Sequence, residues 1–216
     1  MSTTPFIRCN KITKKYYDNV VLFDFDLEIY KGEILGIKGV SGSGKTTLLN
    51  ILGLLDIPNQ GSLEIFGATN PKPFSRKAEK IIRNHIAYLW QNFGLLDDEN
   101  IENNLKIAMY YSKQTDKRSE IEKVLSVVGM DDSQKKRIYQ CSGGEQQRIA
   151  IARLLLKPCE LVLCDEPTGS LDAENRKIVL DLLLHLRNIG KTIVIVSHDP
   201  ETLSICDRII ELRKNG

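Results

Sequence analysis
Residues Gly39 to Thr46 read GVSGSGKT. The spacing G-x-x-x-x-G-K-[ST] is that of a loop that cradles phosphate, and the chemistry needs these residue types. Gly39, Gly42 and Gly44, with Ser41 and Ser43 among them, let the backbone wrap closely around phosphate oxygens with its amides pointing inward. A helix starting at the end of the loop, through Thr46 and Thr47, adds its positive dipole end. Lys45 is a point charge for the β- and γ-phosphates of a nucleotide, and the Thr46 hydroxyl suits Mg²⁺. A chance match arises in on the order of one chain in a hundred of this length. Kinases, GTPases, motor ATPases and transport ATPases share such a loop, so other residues must decide among them.

Far along the chain, LVLCDEPTGSLD places Asp165 and Glu166 at the end of an apolar run that reads as a buried strand. The carboxyl end of such a strand is where a doubly wound sheet binds its ligand. Adjacent strand residues point in different directions. Asp165 therefore suits the Mg²⁺ shell, and Glu166 suits polarising water for in-line attack. The separation between Lys45 and Asp165 far exceeds a minimal βαβ unit, so a segment is inserted between them.

Cys141 to Arg148 read CSGGEQQR. Ser142 as N-cap and Glu145 three residues on make a capping box, and Gly143 and Gly144 leave the first-turn amides uncovered. This is a second anion site without a strand, lysine or metal ligand of its own. It is incomplete unless another surface brings the phosphate. His198 follows the apolar run TIVIVS, at the same sheet end as Glu166, where it suits a γ-phosphate contact. Gln91 also follows a strand and suits Mg²⁺ or water. His85 and His185 lack such context and read as surface or packing residues. Cys141 has two readings: a small hydrophobe that fits, or a thiol whose pKa the helix start lowers and which therefore reacts.

The elements that must position these groups change character along the chain. FIRCNKI and VVLFDFDLEI alternate apolar and polar residues, as half-buried antiparallel strands do. EILGIKG, SLEIF and HIAYLW read as further strands, and KTTLLNILGLL as a helix stopped before Pro58. From about residue 92 to 158 the pattern is helical. Ser119 and Glu122 suggest a capping box for one helix that Gly129 ends, and a second helix runs from about Glu145 to Leu156. Then come the strand LVLCDE, a helix from about Ala173 to Ile189, the strand TIVIVS and the strand DRIIEL. Buried strands alternating with helices imply an α/β fold with a mostly parallel sheet.

The 216 residues allow one sizeable core, and 42% apolar and 27% charged residues are ordinary for a globular protein. A net charge of +2 gives no sign of a nucleic-acid partner held by bulk charge, so none is expected. Five cysteines without a CxxC pair suit free thiols in a reducing compartment. No signal-peptide pattern opens the sequence, and no apolar stretch approaches the ~20 residues that span a bilayer. Direct membrane insertion is therefore not expected.

Together these motifs resemble the ATP-binding cassette (ABC) ATPases along nearly the whole chain. GVSGSGKTT resembles the Walker A loop, and YLWQNFGLL supplies a Q-loop glutamine at Gln91. CSGGEQQR resembles the family signature, with Cys141 where leucine is usual. LVLCDEPTGSLD supplies the Walker B strand, the glutamate Glu166 and a D-loop at Ser170, Leu171 and Asp172; IVSHDP supplies the switch histidine His198. Tyr16 matches the aromatic that stacks on adenine, with Tyr17 as its competitor.

The resemblance implies a single ABC ATPase domain over residues 1–216. Its P-loop NTPase core and antiparallel β subdomain would occupy about 1–91 and 159–216, with an inserted α-helical subdomain at about 92–158. It implies ATP and Mg²⁺, a head-to-tail homodimer sandwiching each ATP between the Walker motifs of one copy and the signature of the other, and a separate membrane permease docked near Gln91 to Leu96. The chain would then be cytoplasmic, peripheral at the inner face of the membrane. GLLDIPNQG and DEPTGSLD are most similar to the lipoprotein-release, macrolide-export and antimicrobial-peptide-resistance type, and two longer stretches resemble cassettes of bacteriocin-type exporters. A regulatory cassette that gates a membrane partner without moving a solute is the alternative.

Overall fold
The structure, a computed structural model, describes residues 4–111, 115–169 and 171–213. The chain opens with β1 (Ile7–Tyr16), β2 (Asn19–Ile29) and β3 (Ile34–Lys38), then α1 (Lys45–Leu52). Next come β4 (Gln60–Ile65), β5 (Ala68–Thr69), α2 (Arg76–His85) and β6 (Ile86–Leu89). Between β6 and the next strand lie α3 (Ile101–Ala108), α4 (Lys117–Val127) and α5 (Gly143–Leu156). The chain closes with β7 (Leu161–Asp165), α6 (Ala173–Asn188), β8 (Thr192–Val196), the short α7 (Pro200–Ser204) and β9 (Arg208–Glu211).

Two sheets result. One is antiparallel, in the order β2-β1-β4-β5. The other is wholly parallel, in the order β6-β7-β8-β3-β9. The strands β3, β6, β7 and β8 are largely buried on both faces, which is why they read as apolar runs, whereas the edge strand β9 is half-exposed. Their side chains alternate between two cores. Ala87, Leu89, Val162, Cys164, Ile193 and Ile195 pack with residues of α3, α4, α5 and α6. Ile86, Leu161, Leu163, Val194 and Val196 pack with residues of α1, α2 and the antiparallel sheet.

Register matters for function here. Leu89 pairs with Cys164, Asp165 with Val196, and Ile37 with Val196. The carboxyl ends of β3, β6, β7 and β8 therefore lie at one edge of the sheet. The loops that carry the phosphate pattern, Gln91, Glu166 and His198 all leave from that edge.

Three local expectations are corrected. Helix α4 is capped not by Ser119 but by Asp116, whose carboxylate accepts from the Ser119 amide at 3.0 Å. Ile121 and Leu125 face the core, and Glu122 pairs instead with Arg118 one turn back. Helix α1 ends at Leu52, well before Pro58, because the chain turns through Gly53 and Leu54, the latter at φ +60°. A Cβ on Gly53 would overlap the Tyr88 ring, so the close approach requires glycine. Helix α2, capped by Ser75, occupies a stretch that suggested no helix. Only Ala78 and Ile81 of its residues are buried, too few to set a period.

Candidate functional site
The phosphate loop leaves β3 and enters α1 with Gly42 at φ +78° and Gly44 at φ +93°, a backbone that favours glycine. Gly39 is required for a different reason: a Cβ there would lie 2.5 Å from both the Leu212 carbonyl and Ser43 Oγ. Lys45 folds back over the loop, its ammonium donating to the Gly39 carbonyl at 2.7 Å and to Val40 at 3.0 Å. Ser43 Oγ is buried and has no hydrogen-bond partner among the described residues. An orphaned hydroxyl and an ammonium resting on loop carbonyls fit a cradle made for an anion.

Thr46 Oγ1 donates to Asp165 Oδ2 at 3.3 Å, so the start of α1 touches the end of β7. Burial and the adjacent Glu166 carboxylate push the Asp165 carboxyl up, against the opposing pull of Thr46 and Lys45. A desolvated carboxylate beside a hydroxyl is a donor set for a hard cation. No cluster of three His, Cys, Asp or Glu occurs among the described residues, so a cation here would need phosphate or water oxygens to complete its shell.

Glu166 follows at φ +47°, an uncommon conformation outside glycine. Its Oε1 meets His198 Nδ1 at 2.8 Å, and its Oε2 accepts from Ser197 Oγ at 2.9 Å. Hydrogen bonding to Glu166 pulls the exposed His198 imidazole up from its usual value. Gln91, Glu166 and His198, with Thr168, Gly169 and Arg176, line one cleft of about 430 Å³. The acid, histidine and glutamine singled out from the sequence are therefore brought together.

The signature stretch forms the expected capping box. Ser142 Oγ accepts from the Glu145 amide at 3.2 Å, and Glu145 Oε2 accepts from the Ser142 amide at 2.8 Å. Lys136 holds the same carboxylate at 2.9 Å. The two glycines differ, which corrects the picture of two uncovered positions. Gly143 faces open space, whereas a Cβ on Gly144 would lie 2.2 Å from Asn175 Oδ1 on α6. Gly144 thus permits helix packing, and only Gly143 is open. Asp172 caps α6, accepting from the Asn175 amide and side chain at 2.8 Å each. Ser170 of the expected D-loop lies outside the described residues.

Cys141 is buried at 7% exposure in the core beneath α5. Burial pushes its thiol up, with the nearby Lys136 opposing only in part. Burial and the raised thiol favour the packing reading of Cys141 over the reactive one. Tyr16 is anchored: its hydroxyl donates to Asp56, and the Lys14 ammonium lies 4.8 Å from the ring centre. Tyr17 is fully exposed at φ +53° in the turn that follows. His85 is a packing residue, stacked on Phe66 and bonded to Glu160 at 2.9 Å.

Further residues escaped the sequence reading. The Arg153 guanidinium on α5 donates to the carbonyls of Phe93 and Gly94, tying the signature helix to the loop after Gln91. Gln147 on the same helix donates to the Pro167 carbonyl next to Glu166. These links depend on tertiary contacts between distant segments, for which one sequence carries no local signal.

The ABC transporter family model matches residues 22–169. The macrolide export ATP-binding/permease protein MacB of Hahella chejuensis is 39% identical over 195 residues, covering 89% of this chain and 30% of that protein. The probable syringafactin export ATP-binding/permease protein SyfD of Pseudomonas syringae is 36% identical over 214 residues, covering 96% of this chain and 33% of that protein. The chain thus spans about a third of the length of these curated relatives. Among solved structures, a dimeric post-hydrolysis state of the ATP-binding cassette MJ0796 bound to ADP and Pi has a TM-score of 0.87 at 30% identity, over 97% of each chain. A dimeric structure of MJ0796, described as a bacterial ABC transporter cassette, has a TM-score of 0.86 at 31% identity, over 96% of this chain and 94% of that one. The family model takes in both the phosphate loop and the Asp165–Glu166 pair, and the chain belongs to the ABC transporter family.

Proposed function
We propose that this chain is the ATP-binding and ATP-hydrolysing subunit of an ABC exporter, acting as one domain whose helical subdomain spans about residues 92–158. The observation that carries the reading is the Thr46–Asp165 contact. It joins the phosphate loop to the acidic strand end at the sheet edge that also bears Glu166, Gln91 and His198.

In this reading ATP enters the loop from Gly39 to Thr47, and Lys45 exchanges its carbonyl partners for phosphate oxygens. Ser41, Ser43 and the loop amides take further oxygens, and the anchored Tyr16 stacks on the base. Thr46, Asp165 and Gln91 would hold Mg²⁺, which supplies charge neutralisation to the β- and γ-phosphates. Glu166 polarises the attacking water, while His198 turns from Glu166 to the γ-phosphate. The cap at Ser142, Gly143, Gly144 and Glu145 serves the nucleotide of a second copy, and Asp172 lies beside it at the start of α6. Each site is complete only in a head-to-tail homodimer. The dimeric MJ0796 cassettes support that assembly by likeness.

A groove of about 560 Å³, lined by Tyr88, Trp90, Ile107, Tyr111 and Arg153 among others, lies beside the loop after Gln91 and suits the permease. Among the described residues no helix is long and apolar enough to cross a membrane. In this reading a permease holds the chain at the inner face of the membrane. The macrolide-export and probable syringafactin-export names of the relatives fit an exported substrate in general. That it is peptide, lipid-linked or drug-like, bacteriocin-type peptides included, is our reading from the sequence motifs.

Glu166→Gln tests the assignment. The variant is expected to bind ATP normally, to lose turnover by a factor of about 100 or more, and to accumulate as a dimer on a sizing column. Wild-type turnover would remove Glu166 as the base.

A further inference from the structure
Glu166 depends on its neighbours for its aim. At φ +47° and directly before Pro167, it belongs neither to β7 nor to the following helix. Its amide donates to the Val196 carbonyl at 2.9 Å, which fixes the backbone against the end of β8. The carboxylate is then held by two donors of opposite character. His198 is an exposed side chain, at 78%, on a ring free to turn. Ser197 is fully buried.

The Ser197 hydroxyl has a defined direction. Its oxygen accepts from the Asp199 amide at 3.1 Å. An amide can only donate, so the hydroxyl proton is left for Glu166 Oε2, at 2.9 Å. Asp199 is itself braced. The Asp199 carboxylate caps α7 through the Glu201 and Thr202 amides, accepts from the Thr202 hydroxyl at 2.7 Å, and faces Arg176 at 3.7 Å. Arg176 in turn pairs with Glu201 at 2.9 Å. A braced amide thus orients a buried hydroxyl, and the hydroxyl orients one carboxylate oxygen.

We propose that Ser197 is a positioning residue for Glu166, holding Oε2 so that Oε1 is presented to the attacking water once His198 turns away. The inference rests on the ATPase reading above. A hydroxyl bonded to a carboxylate is a strong, charge-assisted contact, and it leaves the second oxygen free for chemistry. When His198 leaves, Ser197 is the remaining side-chain donor on Glu166 among those described, and without it the carboxylate can rotate.

The test is steady-state turnover of the full chain with ATP and Mg²⁺. Ser197→Ala is expected to lower kcat by about ten- to a hundredfold, as for a small misplacement of a catalytic group, with KM for ATP within about twofold. Ser197→Thr keeps the hydroxyl and is expected to recover kcat to within about threefold of wild type. Because Ser197 acts through Glu166, Ser197→Ala is expected to change the residual rate of Glu166→Gln by less than about twofold. The inference is overturned if Ser197→Ala turns over like wild type, if its loss appears in KM alone, or if the loss persists undiminished in the Glu166→Gln background. Equal losses in the Ala and Thr variants, with equal falls in melting temperature, would mark Ser197 as packing only and also overturn it. A wild-type chain that hydrolyses no ATP overturns the ATPase reading and this inference with it, and is told apart because the wild type itself is inert.

Discussion
Gly144 in the signature stretch serves packing, against Asn175 of α6. Asn175 is pinned by Asp172, so it cannot yield freely to a methyl group on Gly144. Gly144→Ala is expected to cost about 1 kcal/mol or more in urea unfolding, the strain exceeding the helix-propensity gain of alanine. With Asn175→Ala in the same chain, the Gly144 substitution should become neutral or stabilising. Cys141 is expected to react with a thiol reagent only as fast as the protein unfolds, with or without ATP, because its thiol is buried and its pKa raised. The loops' chemistry was legible from residue types, since glycines, a lysine and carboxylates at strand ends have few other uses in that order. The supporting contacts of Ser197, Lys136 and Asn175 were not, because each is set by the partner's position in space. Ser197 alone had a visible hint, its place directly before His198.

At the level of elements, two ties fix the site's walls. Arg153 on α5 holds the Phe93 and Gly94 carbonyls, and those residues sit at φ +60° and +58°. Burial pushes the guanidinium pKa down, and its hydrogen bonds among the described residues go to those two carbonyls. Arg153→Ala is expected to speed hydrogen exchange of the Phe93 and Gly94 amides by about tenfold or more, with little change in β7 and β8. The second tie is the Lys14–Asp56 pair at 2.5 Å, which joins β1 to the turn after α1 and carries the Tyr16 hydroxyl. Burial opposes ionisation of Asp56, but Lys14, Tyr16 and the Ile57 amide outweigh it and hold the carboxyl below its usual value. A depressed carboxyl stabilises the fold fully above the unfolded pKa, and that stability is lost as pH falls through the folded value. Thermal unfolding below about pH 4 should therefore fall less steeply in Asp56→Asn than in wild type. At neutral pH that variant should lose about 1–3 kcal/mol, because Lys14 loses its charge partner and keeps the Ile57 carbonyl. The long periodic helices and the buried strands were legible because their apolar patterns are strong. Helix α2 and the two-residue β5 were hidden because few of their side chains reach a core.

For the whole molecule, the parallel sheet gathers four loops at one edge and leaves the capped start of α5 as a separate surface with Gly143 open. The fold class was readable from the alternation of strands and helices. The division of the sheet's side chains between two cores required the structure. The central claim is that each ATP site is built from two copies of the chain. Mixing two inactive variants tests it most directly. Lys45→Ala removes the charge expected to bind phosphate, and Gly143→Asp places a negative charge on the open signature position, where an added Cβ meets no other segment within 4 Å. Each variant alone is expected to be inactive, while an equimolar mixture regains turnover because mixed dimers hold one intact Walker site facing one intact signature. A mixture as inactive as its components, though dimers form, would contradict the shared site.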